Sequence, residues 1–253
     1  MKKCYVIGIG PGQAQQMSAA CFAALSEAEI FVGYKTYIDL IKPLYPEKEI
    51  FATGMMGEEE RCRKALELAA SGKTVAVISS GDPGVYGMAS LILELAGEMP
   101  PCEIEIIPGI SAALSGAALL GSPLTNDFVC ISLSDLLTPW ETIEKRLRAA
   151  AEGGFCTVLY NPGSKRRTEV LRKAAEIFLQ KFSGQTVCGI CRQIGRPGES
   201  LELLTLEELK DRQVDMLSTV FIGNEATRVI NGRMVTLRGY RLAAETEEET
   251  AHA

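Results

Sequence analysis

The stretch KTVAVISSGDPGVYG (residues 73–87) decides how the rest of the chain is read. Val75, Ala76, Val77 and Ile78 run without polar alternation, the pattern of a strand buried on both faces of a parallel sheet. The run stops at Ser80-Gly81-Asp82-Pro83-Gly84, and a helical pattern follows from Met88 to Leu95. Glycines at 81, 84 and 87 permit close backbone approach, Pro83 stiffens the turn, and Asp82 offers a carboxylate to a cation or a hydroxyl. A turn that only reverses the chain rarely needs all of these together. The loop is read as ligand-binding, with a structural turn as the alternative.

The same alternation extends outward in both directions. Upstream lie a strand, YVIGIG (5–10), a helix from Ser18 to Glu27, a second strand, EIFVG (29–33), and a helix from Glu58 to Ala70 with Gly72 near its end. Downstream come the strand EIEIIPG (103–109) and the small-residue helix SAALSGAALLG (111–121). Strand-helix alternation predicts an α/β fold with a mostly parallel sheet. Gly121-Ser122-Pro123 breaks the pattern and reads as a hinge. The pattern then restarts with FVCISLS (128–134), FCTVLY (155–160), a helix from Thr168 to Phe182, TVCGIC (186–191) and STVFIG (218–223). Thr138-Pro139-Trp140-Glu141 and Thr205-Leu206-Glu207-Glu208 both read as capping boxes opening helices, and VINGRMVTL (229–237) as a hairpin about Asn231-Gly232. The expected organisation is two α/β lobes, 1–120 and 121–242, and a disordered acidic tail, 243–253. In such folds ligands favour strand carboxyl ends and the cleft between lobes.

Composition narrows the chemistry. The chain has 253 residues, 47% hydrophobic and 23% charged, ordinary for a globular protein. Gly, Pro or charge interrupts every apolar run before bilayer length. MKKCYVIGIGPG reads as a first strand entering a glycine turn, not as a secretion signal. The net charge is -6, but Glu245, Glu247, Glu248 and Glu249 sit in the tail, so the body is near neutral and lacks a nucleic-acid footprint. The one histidine, His252, is also in the tail. Hydrolases built on Ser-His-Asp or Cys-His, and His-ligated zinc or iron, are thereby excluded. Acid-base steps fall to carboxylate, Tyr, Lys or water. The eight scattered cysteines read as reduced thiols of a cytoplasmic protein. Cys188-Gly-Ile-Cys191 lies in a strand pattern and reads as core, against metal or redox use; no metal site is expected.

Four further motifs each carry a functional and a plain reading. Gly8-Ile9-Gly10-Pro11-Gly12 after the first strand suggests a dinucleotide fingerprint, but Pro11 intrudes and the second strand ends in Gly33-Tyr34 without its acid. It is either a tight turn or a backbone close to a ligand. In Pro108-Gly109-Ile110-Ser111-Ala112, Ser111 either caps the next helix or touches a ligand. Tyr160-Asn161-Pro162-Gly163-Ser164 followed by Lys165, Arg166 and Arg167 is either a loop with solvated cations or a carboxylate receptor. Gly33-Tyr34-Lys35-Thr36-Tyr37 offers either core tyrosines or flat, hydroxyl-bearing surface for a large ligand.

Taken in order, IGIGPG, SGDPGVYG, IPGISA, GSPLTNDF and STVFIGN resemble the tetrapyrrole methylase family, from Tyr5 to about Tyr240. GYKTY, GSPLTNDFVCISLSDLLTPW and YNPGSKRR resemble its branch acting on carbon 17 of precorrin-3B or cobalt-factor III, with ring contraction, in cobalamin synthesis. The resemblance implies a two-lobed fold with the active site in the interlobe cleft, S-adenosylmethionine as methyl donor, a tetrapyrrole substrate, cobalt only as part of that substrate, and a homodimer. It implies cofactor contacts from Pro11, Gly81, Asp82, Val85, Ser111, Ala112, Tyr160, Asn161 and Gly195. Related methylases carry a Tyr-Asp pair where Gly33-Tyr34 stands here, which makes Tyr34 the substitute. Tyr34, Tyr37, Lys35 and Thr125 are the candidate donors for ring contraction. A substrate rich in carboxylates predicts that Lys35, Arg192, Arg196 and some of Lys165 to Arg167 face the cleft. The rival readings are a methylase of the same fold acting at another carbon or on another substrate, a non-catalytic tetrapyrrole-binding protein, and an NAD-dependent oxidoreductase.

Overall fold

A computed structural model describes residues 3–164 and 167–240. The expected acidic tail, Lys165 and Arg166 lie outside the described residues. The chain divides into two compact units. One holds the residues up to Ser115 together with Gln193–Glu199; the other holds Gly116–Arg192 and the chain from Ser200 onward.

In the first unit the elements follow as β1 (Lys3–Gly8), α1 (Ala19–Glu27), β2 (Ile30–Tyr34), α2 (Lys35–Ile41), β3 (Glu49–Thr53), α3 (Glu58–Ala70), β4 (Thr74–Ser79), α4 (Ala89–Ala96), β5 (Glu103–Ile107) and the start of α5 (Ala112–Leu120). The five strands form one sheet in the order β3-β2-β4-β1-β5, every pair parallel. The strand with the unbroken apolar run, β4, is the middle one. Its Ala76 and Ile78 pack on one face with Ile7, Leu25, Phe31 and Ile38. Its Val75 and Val77 pack on the other with Val6, Val32, Leu66 and Ile92. Both faces are covered by helices, so a polar residue on either would be stranded. Each fully buried Leu or Ile contributes about 1.5–3 kcal/mol here.

The second unit continues with β6 (Gly121–Ser122), β7 (Phe128–Ser132), α6 (Trp140–Glu152), β8 (Cys156–Tyr160), α7 (Val170–Leu179), β9 (Val187–Arg192), β10 (Ser200–Thr205), α8 (Leu206–Leu209), β11 (Ser218–Ile222), β12 (Thr227–Ile230) and β13 (Arg233–Thr236). Its main sheet has the order β10-β9-β11-β8-β7 and is mixed, with only β7 and β8 parallel. Ile143, Leu147, Leu171, Phe178, Val220 and Ile222 form its core.

Two local expectations need correction. Gly121-Ser122 is not a hinge but strand β6, paired with β13. A Cβ on Gly121 would sit 2.8 Å from the Met234 carbonyl oxygen, so the glycine serves close pairing. Thr138 does not cap α6: Pro139 occupies the cap position and no side chain bonds there. The stretch after Tyr34, to which no element was assigned, forms helix α2. Other local signals hold. Thr205 accepts from the Glu208 N–H while Glu208 accepts from the Thr205 N–H, a complete capping box. Thr205→Ala should cost about 1 kcal/mol in a denaturant melt; an unchanged midpoint would deny the box any energetic role. Asn231 and Gly232, with φ of 49° and 72°, make the turn of the β12–β13 hairpin.

No disulfide links the eight cysteines. Cys188 and Cys191 are both buried on β9. Burial pushes the Cys188 thiol well up, the opposite of a reactive thiolate. Among the described residues no three Cys, Asp, Glu or His side chains gather as metal ligands, and no helix is long and apolar enough to cross a membrane.

Candidate active site

The carboxyl ends of β1, β4 and β5 converge in the first unit, and glycines decide how closely. A Cβ on Gly8 would lie 2.5 Å from the Gly81 carbonyl oxygen and 2.7 Å from the Gly109 nitrogen. A Cβ on Gly109 would lie 2.2 Å from the same oxygen. Three loops therefore share one point where only glycine fits. Gly10 and Gly81 clasp each other by reciprocal hydrogen bonds, N–H to O, at 3.1 and 2.7 Å.

Asp82 locks the arrangement. One carboxylate oxygen accepts from the Gly84 N–H at 2.8 Å and the other from the Gly109 N–H at 3.0 Å. The carboxylate thus ties the β4 loop to the β5 loop. Beyond it the chain turns outward. Val85 and Tyr86 are 37% and 52% exposed, and Tyr86 has a φ of 56°, a conformation a bulky residue seldom takes outside functional loops. Gly81 faces the first turn of α5: its Cβ would meet the Ser111 Cα at 3.6 Å and the Ala112 nitrogen at 3.7 Å. Ser111 is buried and its carbonyl accepts from the Ser115 hydroxyl.

The segment Gln193–Glu199 joins this site although it lies between two strands of the other unit. Gly195, at φ 67°, touches Pro11; a Cβ there would be 2.7 Å from the Pro11 Cβ. The Gly195 N–H donates to Glu199 at 2.6 Å. Arg196 donates from Nε to the Pro11 carbonyl at 3.0 Å and from Nη2 to the Ser80 hydroxyl at 2.5 Å. Its guanidinium lies 5.7 Å from the Tyr37 ring centroid. Tyr37 packs edge-on against Tyr34 at 5.2 Å, and the Arg61 guanidinium sits 5.9 Å from the Tyr34 ring. Cations and rings alternate along this column. Burial holds the Tyr37 phenol above its ordinary pKa and lowers the Arg196 guanidinium.

The remaining predicted residues lie elsewhere. Lys35 is exposed on α2 and pairs with Asp39 at 2.8 Å. In the second unit, the Thr125 hydroxyl donates to the Ser122 carbonyl at 3.0 Å within a turn. Tyr160 ends β8, and its carbonyl accepts from the Leu133 N–H. Asn161 has a φ of 52° and donates to the Ser132 hydroxyl at 2.9 Å. Arg167 donates to the Leu133 carbonyl and lies 3.9 Å from Asp135. Arg192 lines a pocket of about 520 Å³ and pairs with Asp215 at 2.8 Å. Burial raises the Asp215 carboxyl, but hydrogen bonds from Arg192, Ser218 and the Leu217 N–H outweigh it, and the net direction is down. One residue escaped the sequence reading: Arg61, buried at 3% exposure, donates to Thr53, the Gly54 carbonyl and Glu58. Its neighbours in EEERCRK suggest only a charged surface.

Comparison with known proteins defines the class. Residues 3–210 match the family of tetrapyrrole (corrin/porphyrin) methylases, and the chain belongs to it. It is 48% identical to a probable cobalt-factor III C(17)-methyltransferase of Salmonella typhimurium, over 94% of this chain and 99% of that one. It is 40% identical to a precorrin-3B C(17)-methyltransferase of Sinorhizobium sp, over 89% of this chain and 90% of the relative. Among solved structures, the methyltransferase CobJ superposes with a TM-score of 0.87 at 38% identity, covering 92% of this chain and 99% of that one. The fold is also that of a Thermus thermophilus uroporphyrin-III C-methyl transferase complexed with S-adenyl homocysteine, at TM-score 0.70 and 20% identity over 87% and 92% of the two chains.

Proposed function

We propose that this chain transfers a methyl group from S-adenosylmethionine to carbon 17 of cobalt-factor III or precorrin-3B, with contraction of the macrocycle, in cobalamin biosynthesis. The observation that carries the reading is end-to-end similarity, at 48% identity, to a probable cobalt-factor III C(17)-methyltransferase. Features of the first unit's loops support a cofactor site there. Gly81, Ser111 and Ala112 bring almost no side-chain bulk, and the exposed Val85 four residues after Gly81 offers apolar surface suited to an adenosyl group. Pro11 and Gly195 meet at the adjoining edge, and Asp82 ties together the β4 and β5 loops that carry Gly81 and lead to Ser111. Tyr160 and Asn161 of the second unit are assigned to the cofactor on the family resemblance.

The methyl step suits a site without histidine. The substrate carbon forms its bond to the methyl group as the sulfur–methyl bond breaks, and the electron pair leaves with the sulfur. Alignment does most of this work and is worth up to ~7–11 kcal/mol. Ring contraction also needs a proton donor. Tyr34, Tyr37, Lys35 and Thr125 are the candidates, and Tyr37 leads because its ring stands between the Arg196 guanidinium and the Tyr34 ring, beside the β1 and β4 loops that Arg196 bridges. Tyr37→Phe should lower kcat by roughly 10²-fold or more while S-adenosylhomocysteine affinity stays within twofold; an unchanged kcat would remove Tyr37 from the proton path. A cytoplasmic homodimer is the proposed assembly, on the same resemblance.

Anaerobic incubation with S-adenosylmethionine, offering cobalt-factor III and precorrin-3B in parallel, tests the reading. One added methyl and a ring-contracted spectrum from the cobalt substrate alone would assign the anaerobic route, and from the metal-free substrate alone the aerobic route. A protein that binds S-adenosylhomocysteine but methylates neither would overturn the choice of substrate.

A further inference from the structure

The cations that the sequence offers as carboxylate receptors are not equivalent once placed. Lys35 is neutralised by Asp39 and Arg192 by Asp215, each at 2.8 Å, and Arg167 lies 3.9 Å from Asp135. Arg196 differs. Among the described residues no carboxylate comes within 4.0 Å of it, although burial already disfavours its charge. Its two hydrogen bonds go to neutral oxygens, the Pro11 carbonyl and the Ser80 hydroxyl. Those bonds use Nε and Nη2 and leave Nη1 with both N–H groups to offer. Nor is Nη1 sealed in. Among the described residues, the side-chain polar atom that is both shut off from solvent and without a partner is the Ser79 hydroxyl.

A half-buried guanidinium fixed at two corners and lacking a counter-charge is costly in isolation. The cost is recovered when an anion completes it, and a carboxylate matches the guanidinium fork best. The supports of Arg196 are also site elements: Pro11 on the β1 loop, Ser80 on the β4 loop and the Tyr37 ring. We propose that Arg196 is the anion receptor of this site and binds a carboxylate of the bound ligands through Nη1. The proposal rests on the methyltransferase reading and deepens it by assigning one residue to charge recognition. Both ligands carry the required group: the macrocycle on its side chains and the cofactor on its methionyl end.

Arg196→Gln and Arg196→Lys test it, with S-adenosylhomocysteine titrated by calorimetry and cobalt-factor III by absorbance, at low and high salt. Thermal melts of all three proteins run alongside. Arg196→Gln should weaken one ligand at least tenfold and leave the other within twofold. The weakened ligand identifies whose carboxylate is bound, its residual binding should lose salt dependence, and Arg196→Lys should recover part of the loss. Unchanged affinity for both ligands overturns the proposal. So does an equal loss for both that tracks a lowered melting temperature, because that pattern means Arg196 only holds loops together. A parent protein that binds neither ligand would instead refute the proposed function and the receptor with it.

Discussion

Gly109→Ala is expected to leave little folded protein. The new methyl carbon would be 2.2 Å from the Gly81 carbonyl oxygen and 2.6 Å from that of Gly8. Both are backbone atoms, and no flexible side chain can yield. Gly8 is the last residue of β1, paired with Ser79 of β4, and its neighbour Ile7 pairs with both β4 and β5, so relief means pulling the sheet apart at its carboxyl end. The cost should exceed ~4 kcal/mol, the range of severe core disruption. Gly154→Ala is the control. Its φ is left-handed, at 68°, a strain Gly109 does not share, but a Cβ there meets nothing within 4 Å, so it should cost only about 1 kcal/mol. Thermal melts of the two variants and the parent decide the matter. Equal midpoints for Gly109→Ala and Gly154→Ala would show that the three-loop junction is far more pliable than its geometry states.

Asp82→Ala should cost more in ligand affinity than in folding. The substitution removes the acceptors of the Gly84 and Gly109 N–H groups and breaks the tie between the β4 and β5 loops. Hydrogen bonds to a charged group are worth about 1.5–3 kcal/mol each. Asp82 is only partly buried, so water can re-solvate the two N–H groups and the sheet should survive. What is lost is loop placement, and with it at least tenfold in S-adenosylhomocysteine affinity measured by calorimetry. Asp82→Asn should fall between the two, because one amide oxygen can still serve the Gly84 N–H. Equal affinity in parent and Asp82→Ala would rule the lock out as a determinant of binding.

The role of Asp82 also shows where sequence reading stops. SGDPGVYG announces a ligand loop, and its carboxylate invites assignment to a cation or hydroxyl. In the fold both oxygens serve backbone N–H groups, one of them 27 residues away. A sequence shows the acid but not what folding brings to it. The same limit applies to Gly195 and Arg196. They reach Pro11, 185 residues earlier in the case of Arg196, because the segment between β9 and β10 belongs to the first unit. No local pattern encodes that.

Strands were legible where the sequence carries an unbroken apolar or β-branched run. The central strand β4 is buried on both faces and reads as an apolar run. The edge strands β3, half-buried, and β10, mostly exposed, are broken by polar or small residues, produce no such run and passed unread. Helix α2 was hidden because Thr36, Tyr37 and Ile38 favour strands locally, while burial of Ile38 and Ile41 decides for helix. Capping signals depended on geometry as well as residue type. Thr205 and Glu208 complete their box, whereas Thr138 is followed by Pro139, which takes the cap position itself.

The central claim is the position of the transferred methyl group. S-adenosylmethionine labelled with carbon-13 in its methyl group, incubated anaerobically with this protein and cobalt-factor III, should give a macrocycle with one enriched methyl resonance, assigned by carbon–carbon coupling to carbon 17. Label on any other ring carbon, or an unlabelled macrocycle from protein that binds S-adenosylhomocysteine, would contradict the account.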